Sequence, residues 1–373
     1  MSKPVVVYGA SGYTGALVCE HLRNYNIPFI AAGRDGKRLE AKMKTVPGIE
    51  TANYEVVEVK HDVESLADLM DGAKVMCNTV GPFIKYGSVV VEAALKAGCH
   101  YLDSTGEQIY VKAVGEEYGD QFAEKGLCLL PATAYMFTHV DICSRLCKEH
   151  LPGVNILDCL TMPTGVPTYA STQTFYDIVR RTALYLELNE LKAWPEATAY
   201  EAHMPGYHAT GLSLPWGGTT LPLYYLNDPE VHTCKALSGF NDRVLMGAVL
   251  ATFKKYVEEI KPLPEAEQDA VISKMADSWQ GGTPPRENPM IHTGLDSCYG
   301  HSSLETVHVV MKSIFPYRST GMYHAHVANY LLNGGQIKKY GFASTCEAIG
   351  YRTLLEALKN HGYVKDVKIS FVA

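Results

Sequence analysis

The chain has 373 residues and a mass of 41.0 kDa, a length that fits two domains better than one small module. Hydrophobic residues make up 47% and charged residues 20%, which excludes a disordered or fibrous chain. The 33 Lys and Arg against 40 Asp and Glu leave a net charge of −7, so there is no basic surplus to offer a phosphate backbone and no nucleic-acid partner is expected. No apolar run reaches the ~18 residues of a membrane-spanning helix, and no apolar leader follows Met1, so neither a transmembrane segment nor a secretory signal is expected. The ten cysteines include no CxxC pair and read as reduced thiols of a cytoplasmic protein.

In chain order, the first 131 residues alternate short β-branched runs with amphipathic ones. Strands are predicted at Val5–Tyr8, Phe29–Ala32, Tyr54–Val59, Lys74–Val80, His100–Asp103 and Leu127–Leu130. Helices are predicted between them at Ala16–Arg23, Asp35–Lys44, Val63–Met70, Val89–Lys96 and Val111–Glu124. Near-continuous apolar strands separated by helices imply a parallel sheet covered on both faces, the doubly wound α/β (Rossmann) class. A helix at Val140–Glu149 and a strand at Val154–Thr161 follow. The apolar spacing of Phe175, Ile178, Val179, Ala183, Leu186 and Leu191 then predicts one long helix, Ser171–Lys192. Further helices are expected at Arg243–Ile260, Glu265–Trp279 and Thr345–His361. A strand pair is expected at Pro289–Cys298 and Leu304–Ser313, with a last strand at Val367–Val372. This half reads as an α+β domain with a mixed or antiparallel sheet.

The first strand runs directly into Gly9-Ala10-Ser11-Gly12-Tyr13-Thr14-Gly15 and then into a helix. In that context the three glycines serve a tight turn, the approach of a pyrophosphate to the backbone, and close helix–strand packing, with the helix N-terminus facing the anion. The second strand ends in Gly33-Arg34, where an acid would select NAD; Arg34 instead suits the 2′-phosphate of NADP(H), with Arg38 one turn on. Asp35 is read as the cap of the next helix. Asp62 and Val63 follow the third strand, near the expected adenine. Thr79, Val80, Gly81 and Phe83 follow the fourth strand and would line the cofactor, as would Asp103 at the end of the fifth.

Four blocks resemble the saccharopine dehydrogenase-like oxidoreductases, a family that includes the trans-acting enoyl reductases. They are Gly9 to Gly15, Gly33-Arg34, Asn78 to Phe83 with Tyr86-Gly87, and His100 to Glu107. The segment Gly341 to Gly350 with Glu356-Ala357-Leu358 is similar to that family's C-terminal helix, which rejoins the first domain. The resemblance implies an NADP-binding Rossmann domain over 1–135, rejoined by 340–373, and an α+β substrate or oligomerisation domain over 136–339. It also implies a reductase, since members act on C=N bonds or on C=C bonds conjugated to a carbonyl.

The expected activity is therefore NADPH-dependent hydride transfer to a conjugated C=C or a C=N bond. Tyr86 and Glu107 are the candidate proton donors. Thirteen of the 24 tyrosines lie between Leu151 and Tyr340; Tyr169, Tyr207, Tyr224 and Tyr225 with Trp216 are candidates for walling a sizeable apolar small-molecule substrate. The alternatives are a ketone reductase and a non-catalytic NADP(H)-binding redox sensor. Acyl-phosphate and semialdehyde chemistry needs a nucleophilic Cys on a turn, and Cys99 leads instead into a strand. No tyrosine has Lys four residues later, which removes the short-chain reductase pattern. His324 and His326 would point different ways on a helix, so no metal is expected. A homodimer is compatible with this reading.

Overall fold

The computed structural model describes residues 3–215, 220–278 and 284–372. The chain divides into two compact units. One holds 1–105, 109–138 and 317–361; the other holds 106–108, 139–316 and 362–373.

The first unit contains β1 (Val5–Tyr8), α1 (Tyr13–Asn24), β2 (Phe29–Gly33), α2 (Gly36–Met43), β3 (Tyr54–Glu58), α3 (Val63–Leu69), β4 (Val75–Asn78), α4 (Phe83–Ala97), β5 (His100–Asp103), α5 (Gln108–Glu124) and β6 (Cys128–Leu130). These form the expected parallel sheet, in the order β3-β2-β1-β4-β5-β6. The first turn of α6 (Tyr135–His150) closes this stretch. β1 and β4 are buried at every position because helices cover both faces.

The second unit's sheet has the order β16-β14-β13-β7-β12-β8-β9. Its strands are β7 (Ile156–Pro163), β8 (Leu184–Glu187), β9 (Glu190–Ala193), β12 (Thr233–Ser238), β13 (Thr293–His301), β14 (Thr306–Ile314) and β16 (Val364–Val372). Only β7 and β12 run parallel in it; the remaining pairs are antiparallel, so the sheet is mixed. A separate hairpin, β10 (Tyr200–His203) with β11 (Thr210–Ser213), was not expected from sequence. The unit also carries α7 (Tyr169–Val179), α8 (Leu221–Tyr225), α9 (Arg243–Lys255) and α10 (Glu265–Ser278).

Three differences from the sequence-based expectation have physical causes. The long helix Ser171–Lys192 is absent; α7 stops at Arg180 and the rest is the β8–β9 hairpin. Leu188 and Asn189 hold positive φ values of 52° and 65°, the left-handed pair that a two-residue hairpin turn requires. Secondly, α11 (Pro316–Leu332) was missed, and it packs in the first unit. A side chain at its Gly321 would come within 2.8 Å of the Leu17 backbone, so α11 and α1 meet almost backbone to backbone. Thirdly, the C-terminal return is split. β15 (Gly341–Phe342) extends the parallel sheet beside β6, and α12 (Tyr351–Asn360) stays in the first unit. β16 instead pairs with β14 in the second sheet. All ten cysteines are buried and unpaired as disulfides.

Candidate dinucleotide-binding site

The glycine loop joins β1 to α1. Gly9 has φ 89°, and a Cβ there would come within 2.7 Å of Thr79 Oγ1, so only glycine makes this turn beside β4. A Cβ on Gly15 would sit 2.3 Å from the Gly9 carbonyl oxygen, which is how α1 approaches β1 so closely. Gly12 is the N-cap of α1 and is exposed; a side chain there would meet only the Gly9 carbonyl, at 3.2 Å. No side chain caps α1 and no acid occupies its first turn. The helix end is therefore open to an anion, and the loop fits a pyrophosphate. Ala10, Ser11, Tyr13 and Thr14 all lie on this loop or the first turn of α1.

Gly33 ends β2 buried and Arg34 emerges exposed beyond it. Arg34 has no hydrogen bond or ion pair among the described residues, and its charge acts on Tyr8 and His61. Asp35 accepts from the Arg38 amide at 2.9 Å, so it caps α2 and does not compete for a ribose. Arg38 stays exposed on the first turn of α2. Asp62, expected near adenine, caps α3: it accepts from the Ser65 amide at 2.8 Å and the Ser65 hydroxyl at 3.0 Å, and these bonds hold its carboxyl below the usual range. Val63 opens that helix.

His61 is a residue the motif reading passed over. Its Nδ1 lies 3.0 Å from the Tyr8 hydroxyl and its ring stacks on Tyr8, 5.9 Å apart and 8° from parallel. Tyr86 meets the same ring edge-on at 5.4 Å. This gives Tyr86 a ring partner that its motif block did not foresee. It stands on α4, which packs along α3, against a histidine in the field of Arg34. That is the β2–β3 side of the sheet, the side of the 2′-phosphate, and not the β5–β6 side where hydride transfer is expected.

Beyond β4, Thr79 donates its hydroxyl to the Tyr8 carbonyl at 3.0 Å, and the Val80 amide donates to Asn78 Oδ1 at 3.0 Å. Gly81 precedes Pro82 through a cis peptide, and Phe83 starts α4 buried, 5.9 Å from the Tyr110 ring. These residues fix the floor of the loop cluster.

Asp103 departs from its expected role. It is fully buried, and its carboxylate is saturated. Oδ1 accepts from the amides of Thr105 and Ala132, each at 2.9 Å; Oδ2 accepts from the hydroxyls of Tyr101 at 2.9 Å and Tyr110 at 3.1 Å. Four bonds use the four acceptor positions of a carboxylate, leaving none for a ribose. Burial pushes its acidity to about 6 against the pull of those four donors. Asn78 extends the network by donating to the Tyr101 hydroxyl at 2.9 Å. His324 is also buried, beside the backbone of Thr133 and Asp103, and burial pulls it down to about 4.

Glu107 belongs with the second unit. It is buried and accepts from the Thr174 hydroxyl of α7 at 3.1 Å. Its neighbour Gln108 exchanges two hydrogen bonds with the Leu184 backbone, 2.7 and 2.9 Å, which seats the loop after β5 on α7 and β8. The candidates for an aromatic wall have separate surroundings. Tyr169 is 47% and Tyr207 40% exposed, with the Lys312 ammonium 5.4 Å from the Tyr207 ring. Tyr224 and Tyr225 are buried in α8. The Tyr225 hydroxyl lies 2.8 Å from Ser144 Oγ, under the Arg145 guanidinium. No ring contact joins Tyr169, Tyr207 and Tyr225 among the described residues. Trp216 lies outside the described residues. A cleft of about 140 Å³ in this unit is lined instead by residues such as Ile178, Trp194, Phe253 and Tyr256. No helix among the described residues is long and apolar enough to cross a membrane.

Residues 5–130 match the saccharopine dehydrogenase NADP binding domain, and residues 138–371 match a family of unknown function, DUF5938. NADP(H) is therefore the cofactor of the first unit, and the open helix end and Arg34 suit it. A lipid droplet localized protein of Caenorhabditis elegans is 32% identical over 181 residues, 45% of this chain and 42% of that one. A trans-acting enoyl reductase of Mycobacterium ulcerans is 32% identical over 133 residues, 35% of this chain and 32% of that one. A human saccharopine dehydrogenase-like oxidoreductase is 29% identical over 152 residues, 37% and 35% of the two chains. The matches thus span less than half the length of these relatives. Among solved structures, saccharopine dehydrogenase (L-Glu forming) of Saccharomyces cerevisiae aligns over 100% of both chains with TM-score 0.61 at 14% identity, a likeness of fold.

Proposed function

We infer that this chain, which belongs to the DUF5938 family and begins with a saccharopine dehydrogenase NADP-binding domain, is an NADPH-dependent reductase that delivers hydride to a conjugated C=C or a C=N bond. The observation that carries the reading is the uncapped α1 N-terminus in line with Gly9–Gly15, with an unpaired Arg34 at the end of the neighbouring strand. The names of its oxidoreductase relatives, an enoyl reductase among them, support a reduction.

Bound NADPH supplies the hydride. The chain's own work is positioning: the loop backbone binds the pyrophosphate, Arg34 the 2′-phosphate, and the saturated Asp103 network holds the ends of β4 and β5 rigid beneath the cofactor. Glu107 is the candidate for the proton. It stands four residues after β5 in the chain, and Thr174 holds its carboxyl. A large apolar substrate loses the support that a tyrosine wall would have lent it, so substrate size stays open to the assay. The worm relative's name makes partition between cytoplasm and lipid droplets a second property to measure.

The test is reduction of a panel of enones, ketones and cyclic imines with deuterated NADPH. Deuterium on the β-carbon marks C=C reduction; deuterium on the imine or carbonyl carbon marks the other chemistries. Tight NADPH binding with no acceptor reduced would replace this reading with the redox-sensor one.

A further inference from the structure

We propose that His61 is a proton-linked selector for NADPH over NADH, taking up a proton when the 2′-phosphate arrives. The inference rests on the NADP(H) assignment and concerns a residue outside all four motif blocks. Its geometry is unusually constrained. Tyr8 from β1 holds the ring by a 3.0 Å contact to Nδ1 and by stacking, and Tyr86 from α4 closes it edge-on at 5.4 Å. Nε2 is buried and has no hydrogen-bond partner among the described residues. With Nδ1–H donating to the Tyr8 oxygen, Nε2 carries the lone pair and is the nitrogen that takes up the proton.

The surrounding charges decide when it does so. Arg34, after β2, opposes protonation of the ring; Asp62, next in the chain, favours it, while Lys60 on the other side acts on Asp62. From β1 and α4 the facing groups are the phenols of Tyr8, which burial pushes further from ionisation, and Tyr86. Burial first, and Arg34 second, hold His61 below its ordinary acidity, so the ring is neutral while the site is empty of phosphate. A dianionic 2′-phosphate paired with Arg34 reverses the sign of the local charge. The imidazolium then becomes the favoured form. By linkage, a ligand that raises a group's pKa binds more tightly as pH falls toward that pKa. NADH carries a 2′-hydroxyl and lacks this effect. Histidine and arginine thus share the phosphate's two charges, whereas Arg34 alone balances one.

The test is calorimetric titration with NADPH and with NADH near pH 6.5 in buffers of different ionisation enthalpy, for the unaltered protein, His61→Gln and His61→Phe. The proton that the phosphate itself gives up to the buffer on pairing with Arg34 is common to all three, so the difference between them isolates His61. The unaltered protein is expected to take up several tenths of a proton more than either variant with NADPH, and no more with NADH. The NADPH/NADH preference should fall roughly three- to tenfold in His61→Gln near pH 6.5, the scale of up to one pKa unit, and less near pH 8.5. Equal proton uptake in all three proteins overturns the proposal. Absence of NADPH binding to the unaltered protein overturns the cofactor assignment beneath it, so the two failures are distinct. Should both variants fail to fold by thermal melting, Tyr8→Phe frees Nδ1 while keeping the imidazole, and an unchanged proton uptake in it overturns the role given to the Tyr8 clamp.

Discussion

Gly15 approaches Gly9 so closely that a Cβ on it would stand 2.3 Å from the Gly9 carbonyl oxygen, while three residues earlier a Cβ on Gly12 would meet nothing nearer than 3.2 Å. The two glycines therefore have different reasons to be glycine. Gly15→Ala forces backbone apart and should destabilise the first unit by about 1–3 kcal/mol, as overpacking does. Gly12→Val should leave the melting temperature nearly unchanged and abolish NADPH binding, because the branched side chain fills the pyrophosphate position. Melting and calorimetry on both variants separate the roles; micromolar NADPH binding by Gly12→Val would refute the loop assignment.

Arg34 has no hydrogen bond or ion pair among the described residues, so Arg34→Ala should cost NADPH affinity with little change in stability. The expected loss is about 1.5–3 kcal/mol, the worth of a hydrogen bond to a charged group. NADH affinity should hardly move. An equal loss for both nucleotides sinks the 2′-phosphate assignment.

The Asp103 network makes a pH prediction. An acid raised to about 6 in the folded state, against ~3.9 unfolded, binds its proton more readily when folded. Its titration therefore contributes stability that is present below about pH 4 and is lost as pH rises through about 6. Asp103→Asn removes that contribution and also turns an amide donor toward donors that now lack an acceptor, costing about 2–4 kcal/mol at low pH. Denaturant unfolding from about pH 4.5 to 7.5 should show the gap between the unaltered protein and the variant narrowing as pH rises. A gap that widens over that window contradicts the raised acidity.

His324 titrates in the opposite sense. Held to about 4 when folded and ~6.5 when unfolded, it costs stability progressively as pH drops below 6.5. His324→Phe should make the protein less sensitive to acid near pH 5, whatever it costs at pH 7.5 through the backbone contacts to Thr133 and Asp103. Equal acid sensitivity in the two proteins removes His324 from the account.

For chemistry, Glu107→Gln should lower kcat on the reducible acceptor by roughly 10²–10⁴-fold while NADPH affinity stays nearly constant, the usual worth of general acid catalysis. Tyr86→Phe should leave kcat within a few-fold and act, if at all, on nucleotide affinity. The reverse outcome would return the proton to Tyr86 and displace the account of its position beside His61.

What the sequence determined on its own was whatever neighbours in the chain decide. The βαβ alternation, the glycine loop, the cap made by Asp35 and the Gly33-Arg34 strand end each involve residues a few positions apart, so period and spacing carry them directly. The tertiary structure decided everything that depends on partners distant in the chain. The apolar spacing around Leu186 is equally helical on paper; the β12 edge and the Gln108 side chain turn that segment into strand, helped by two residues in left-handed geometry. Asp103 becomes a saturated anchor because Ala132 and Tyr110 reach it, not because of its position in a motif. Tyr86 and His61 meet across 25 positions, and Tyr8 and His61 across 53. Local pattern encodes which backbone forms; only the folded sheet brings together Tyr8, His61 and Tyr86 from distant parts of the chain.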